Sequence, residues 1–127
     1  MLIVSFEAFD VVVVPFPFTH RNTPKRRPAL VLSDGRVFNQ PSGHSVLAMV
    51  TSATHSDWPL DVEIKDLDAA GLPSASVVRM KLFTLANSLV IRKAGVLSPG
   101  DRGAVADCLG RLFGAEGFGV QGSGLRV

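Results

Sequence analysis

The sequence predicts a mainly β domain: a small, curled, mostly antiparallel barrel with one helix packed across it. Three observations carry this. Short apolar, β-branched runs recur between turn-forming residues. Residues 60–65 alternate apolar and charged with period two, as a half-exposed strand does. Only one segment, beginning at Ser98, carries helix signals. The chain has 127 residues, enough for one core. Residues 1–114 read as a single domain without internal repeats.

Val11 to Val14 is a buried strand, ended by Pro15 and Pro17, which cannot donate to a ladder. Thr19 to Arg27 is polar and basic and reads as a loop. Ala29 to Leu32 is a second buried strand, closed by Ser33-Asp34-Gly35. A loop or short helical turn follows, then a third strand from Ser45 to Thr51. Ser52 to Pro59 is a second polar loop, with Trp58 near its end. After the 60–65 strand, Ala69 to Pro73 is a turn, and Ser76–Met80 and Leu89–Arg92 are further strands. Ser98-Pro99-Gly100-Asp101 supplies an N-cap serine, a proline at the first helical position and an acid at the third. Val105, Cys108, Leu109, Leu112 and Phe113 then form an apolar stripe, and Gly114 is a stop. Residues 115–127 are glycine-rich and aperiodic, and are expected to be a flexible tail.

Formal net charge is only +2, so the distribution of charge matters more than its sum. No Lys or Arg precedes Arg21, and then Arg21, Lys25, Arg26 and Arg27 fall within seven residues. Such a patch suits a polyanion. A hydrophobic fraction of 46% and a mean hydropathy of +0.30 exclude disorder and suggest a partner over some apolar surface. The single cysteine forms no intrachain disulfide and fits a reducing compartment. The N-terminus lacks a basic leading segment, and Glu7 and Asp10 interrupt it, unlike a signal peptide. The apolar run after Asp10 is too short to span a bilayer. A cytoplasmic protein without a membrane partner is expected.

His20, His44 and His55 show no ligand spacing, so no metal and no cofactor is expected. There is no glycine-rich phosphate loop and no nucleophile elbow. What remains centres on Arg27, where the basic loop meets the second strand. Its guanidinium can hold a phosphate bidentately. Thr51 and Ser52, at the end of the third strand, offer hydroxyls for a phosphate oxygen or a ribose hydroxyl. If the two strands are neighbours, Arg27 and Thr51 share a groove. Lys25 and Arg26 are phosphate-positioning candidates. His20 and His55 could shuttle protons near neutral pH. Trp58 could stack on a base. Each has a plain structural reading beside the functional one: a solvated arginine, a threonine capping its own backbone, exposed histidines, a tryptophan in a core or dimer seam.

Asp10-Val11-Val12-Val13-Val14-Pro15-Phe16-Pro17-Phe18-Thr19 and Arg27-Pro28-Ala29-Leu30-Val31-Leu32-Ser33 closely resemble the opening of the MazF/PemK toxins. Val50-Thr51-Ser52, Ser76-Val77-Val78-Arg79 and Gly95-Val96-Leu97-Ser98 resemble later blocks, over residues 8–113 in all. The resemblance implies an SH3-like barrel of the CcdB/Kid/MazF kind, usually a homodimer. It implies a toxin that cuts single-stranded RNA without a metal, leaving a 2′,3′-cyclic phosphate and a 5′-hydroxyl. It further implies a small cognate antitoxin that lays an acidic segment across the basic groove and binds DNA. Arg27 takes the place of the family's catalytic arginine and Thr51 that of its strand-end threonine. His20 is a candidate general base, and Arg79 matches a substrate-binding arginine. Lys81 stands where some relatives carry an aspartate. Two other readings compete: a non-catalytic barrel that binds nucleic acid or peptide, and a gyrase-poisoning toxin of the same fold.

Overall fold

The structure, a computed structural model, describes residues 5–16, 25–55 and 57–114. Six strands form one curled antiparallel sheet: β1 Asp10–Phe16, β2 Lys25–Val31, β3 His44–Ser52, β4 Val62–Glu63, β5 Ser76–Ala86 and β6 Arg92–Val96. Their order across the sheet is β4-β5-β3-β2-β1-β6. A single wide helical turn, Gly35–Asn39, leads into the short helix α1, Gln40–Ser42. Two further helices follow: α2 Leu67–Ala70 and α3 Pro99–Leu112.

Successive strand residues point to opposite faces, so the Val11–Val14 run is buried only because both faces are covered. On one face Val11, Leu30, Ala48, Val50, Val78 and Met80 pack with Leu97, Val105 and Leu109 of the α3 region. On the other, Val12, Val14, Ala29, Val31, Leu47 and Leu85 form a second cluster, joined by Phe6, Phe83 and Val90. The second face is the one that carries the candidate site.

The basic segment is not all loop. Lys25, Arg26 and Arg27 open β2 and pair with Phe16, Pro15 and Val14. Strand continues through Pro15 and Pro28 because the sheet is narrow there. β6 pairs with β1 only as far as Val13, and β3 pairs with β2 only over Ala29–Val31. Beyond those limits β1 and β2 form a two-stranded ribbon to which no further strand pairs among the described residues, and proline interrupts little there. The strand expected at 89–92 also lies elsewhere. Asn87–Leu89 is a helical turn and β6 runs from Arg92 to Val96. Only Val62 and Glu63 of the 60–65 segment pair as strand, although Val62 and Ile64 are buried as the alternation requires.

The helix begins as expected, with the Ser98 hydroxyl accepting from the Asp101 amide at 3.2 Å. Val105 and Leu109 are buried, whereas Leu112 and Phe113 are 38% and 55% exposed, so the stripe faces the core for only part of its length. Burial pushes the Cys108 thiol upward from its ordinary value. Replacing Ser98 with alanine should cost about 1 kcal/mol, read as a shift in the denaturant midpoint without a change in slope.

A polar network unsignalled by the sequence ties the 33–45 connection to the sheet. The Asn39 amide donates to the carbonyls of Phe6 and Ser33 at 2.7 and 2.9 Å. Asn87 donates to the Asn39 carbonyl at 2.9 Å and accepts from the Ser45 hydroxyl at 2.6 Å. Asn39, Ser45 and Asn87 are all buried, and each finds partners there.

Candidate active site

Alternation along the strands fixes what faces the site. Val14, Ala29, Leu47 and Phe83 lie in the second core cluster or against it. Two residues further along their strands, on the same face, come Phe16, Arg27, Met49 and Lys81, and two beyond Met49 comes Thr51. The β2–β3 register sets Ala29 opposite Met49. Carried two residues on, past the last paired bond, the same register sets Arg27 opposite Thr51. The strands have parted there, and a groove opens between them. Phe16, Arg27, Met49, Val50, Thr51, Arg79 and Lys81 line it, around a volume of about 170 Å³. Arg27 and Thr51, chosen from the sequence, therefore share one groove, and Arg79 joins them.

A β-bulge shapes the far wall. Ala48 pairs with Leu82, yet the next β3 residue, Met49, pairs with Arg79. Two extra residues on β5, Met80 and Lys81, are accommodated there, and bulges commonly re-aim side chains beside functional sites. Arg79 is then fixed by Asp61, whose carboxylate accepts from Nε at 3.2 Å and Nη2 at 2.8 Å. The Arg79 and Asp61 side chains are only 19% and 5% exposed. The hydrogen bond to Asp61 is the main force that raises the Arg79 pKa, with the charges of Asp61 and Asp57 adding to it and partial burial opposing it. Arg79 is a permanent cation with a set direction.

Trp58 and Asp61 reach Arg79 from one tight turn. The Asp61 amide donates to the Trp58 carbonyl at 3.3 Å. Pro59 and then Leu60, at φ +66°, occupy the middle, in the order of a type II turn that ordinarily wants glycine second. A bulky residue held there signals strain, which the packing of Leu60 against the core offsets. The indole, 40% exposed, lies 5.5 Å from the Arg79 guanidinium and 4.8 Å from the Lys81 ammonium.

The other sequence candidates distribute as follows. Lys25 is exposed on the ribbon, on the same face as Arg27 by alternation. Arg26 faces the opposite side and lines a different groove. Ser52 follows Thr51, exposed, with its hydroxyl 2.7 Å from that of Thr54. His20 lies outside the described residues. Sequence reasoning missed Asp61, which sits on the exposed phase of the 60–65 alternation and carries no local signal of its partner. Among the described residues lining the groove there are three cations and no carboxylate. Such a lining suits an anionic ligand.

The family model described as PemK-like, MazF-like toxin of type II toxin-antitoxin system matches residues 7–113. The chain belongs to this family. The MazF-like fold is shared with solved structures at low identity. A chain of the MazE-MazF crystal structure from Deinococcus radiodurans is 25% identical, with 86% of this chain and 96% of that chain covered and a TM-score of 0.68. The Mycobacterium tuberculosis toxin MazF-mt6 is 21% identical over 83% of this chain and 96% of its own, with a TM-score of 0.63. An endoribonuclease in complex with its cognate antitoxin, from a mycobacterial species, is 16% identical over 86% and 93%, with a TM-score of 0.66. No curated protein sequence matches the chain. This MazF-like toxin has no described helix long and apolar enough to cross a membrane.

Proposed function

We propose that this MazF-like toxin is an endoribonuclease that cuts single-stranded RNA by internal transesterification. The observation that carries the reading is the convergence of Arg27, Thr51 and Arg79 in one groove with no carboxylate among its described lining residues. The ribose 2′-oxygen attacks the adjacent phosphorus, and the bond to the 5′-oxygen breaks. A 2′,3′-cyclic phosphate and a 5′-hydroxyl result. Arg27 binds the phosphoryl oxygens bidentately and stabilises the charge that develops on them. The Thr51 hydroxyl hydrogen-bonds a phosphate oxygen or the nucleophile and holds it in line. His20 accepts the 2′-hydroxyl proton, and the leaving oxygen takes a proton back. Arg79, oriented by Asp61, binds the neighbouring phosphate, and Trp58 stacks on a base. Lys25 and Arg26 contact phosphates, and Ser52 contributes at the end of β3. The site needs no metal, because guanidinium groups supply the positive charge.

The test is to incubate the purified protein with single-stranded RNA in EDTA and to analyse the ends produced. Cyclic phosphate and 5′-hydroxyl termini are expected, and intact RNA would overturn the proposal. A second variant addresses Asp61. Asp61→Asn keeps the shape but loses the charge that aims Arg79, and should lower kcat at least ~10-fold with a small change in KM. Unchanged kinetics would remove Asp61 from the site.

One observation favours the binding-module reading. Lys81 occupies the place of the aspartate in some relatives, so every charged residue among the described lining residues is cationic. Salt-sensitive RNA binding without products would select it. We also propose a homodimer and an antitoxin partner. Leu89 and Ile91, 51% and 39% exposed, offer apolar surface for a second copy. An acidic antitoxin segment would neutralise the groove on binding.

A further inference from the structure

A second groove, about 240 Å³ in volume, lies on the opposite side of the β1–β2 ribbon. Its floor crosses three strands, since Val13 pairs with Pro28 on one side and with Arg92 on the other. Its far wall is the chain that leaves α2, Gly71 to Pro73. That wall is set firmly against β6. A Cβ on Gly71 would come within 2.0 Å of the Ala94 carbonyl oxygen, and one on Gly95 within 2.3 Å of that of Ala69. Gly71 also needs its positive φ of +72° to end α2. A built concavity, not a mobile loop, therefore receives the side chains at its rim.

The charged residues along it are Arg26, Arg27 and Arg92, and no carboxylate is among the described residues that line the groove. No described residue forms an ion pair with any of the three. The run Lys25-Arg26-Arg27 lies on a strand, so its charges must divide between the two faces. Arg27 borders both grooves, while Arg26 meets Arg92 in the second one only. The ribbon is thus a cationic ridge joining two cationic grooves. The first has aromatic neighbours, Phe16 and Trp58, suited to bases. The second has no aromatic residue among the described residues that line it, and what those residues offer a nucleic acid is charge for its backbone.

We propose that this second groove is a phosphate-binding subsite for single-stranded RNA, taking the backbone away from the scissile linkage after it has crossed the ribbon. The proposal rests on the nuclease reading for its substrate. It gives a role to Arg92, an exposed residue paired with the apolar Val13 and lining the same groove as Arg26. Contacts of this kind add affinity and salt dependence without sequence preference.

The test uses the full chain and its Arg92→Gln, Arg92→Glu and Arg92→Lys variants. Binding of fluorescein-labelled, 2′-O-methylated RNAs of five and twenty nucleotides is titrated at several salt concentrations. For the twenty-nucleotide probe, Arg92→Gln should make the slope of log affinity against log salt shallower by about 0.7, or about 5-fold weaker binding at 0.1 M salt. Arg92→Glu should weaken it further and Arg92→Lys should largely restore it. The five-nucleotide probe, and cleavage of an unmodified five-nucleotide RNA, should not change. An unchanged slope overturns the proposal, as does an equal loss for both probes, which would place Arg92 in the first groove. Loss of binding to a poly-glutamate peptide with the RNA slope unchanged also overturns it and gives the groove to an acidic protein segment. If wild type binds with the expected slopes but cuts nothing, the nuclease reading falls and the subsite stands.

Discussion

Arg27→Ala is expected to lower RNA cleavage by at least ~100-fold, equivalent to about 2.7 kcal/mol of transition-state stabilisation. The physical reason is placement. Arg27 sits on the last stretch of β2 that still pairs with β1, opposite Val14. Its Cα is held by a ladder at the rim of the groove that Thr51 also lines. A charge already placed at the groove before the reaction stabilises the phosphoryl oxygens as they gain charge. Arg27→Lys should recover little, since an ammonium keeps the charge and loses the two parallel hydrogen bonds. The loss should appear in kcat more than in KM, because Arg79, Lys81 and Lys25 still attract the RNA. Single-turnover cleavage of a fluorescent oligonucleotide checks this. Full activity in Arg27→Ala would remove the guanidinium from the chemistry, and a loss carried wholly by KM would reduce it to a binding contact.

The core of this arrangement was legible because it rests on local pattern. The valine run, the Ala29–Leu32 run and the 45–51 run each announced a buried strand, and strand parity then put Arg27 and Thr51 on one face once β2 and β3 were neighbours. The parts that were not legible depend on long-range register. β5 extends to Ala86 through Lys81 to Thr84 because β3 offers it a partner along its whole length, and the bulge absorbs the polar phase break. β6 is built from Arg92 to Val96, a weak strand sequence. It forms because β1 has an open edge and because Gly95 lets the end of α2 lie against it. Asp61 read as one more exposed charge, since only the fold reveals that Arg79 stands opposite. Arg26 read as part of a loop patch, since only strand pairing assigns it to the other face.

Asp101→Ala is expected to destabilise the fold by about 2–4 kcal/mol, well beyond the ~1 kcal/mol of Ser98→Ala. In the sequence Asp101 looks like an acid that favours the start of its own helix. In the fold it is 4% exposed, and its carboxylate accepts from the amide of Lys65 at 3.1 and 3.2 Å and from that of Asp66 at 3.1 Å. It is thus the bond between α3 and the end of the 60–65 segment. Removing it leaves two amides without partners at a part-buried joint, and unmade bonds of that kind cost about 1–3 kcal/mol each. Asp101→Asn, which keeps one acceptor, should lose less. Thermal unfolding checks the order: Asp101→Ala should melt about 10 °C or more below wild type, with Asp101→Asn and Ser98→Ala between them. Equal melting of Asp101→Ala and Ser98→Ala would reduce Asp101 to a helix-start residue. The joint also bears on the site. Four residues before Lys65 comes Asp61, and the strained Trp58–Asp61 turn aims Arg79 from there. Loosening the end of that segment should therefore weaken the hold on Arg79 while Arg27, on the far side of the groove, keeps its ladder. At a temperature where Asp101→Ala is still folded, its cleavage should fall as in Asp61→Asn and not as far as in Arg27→Ala.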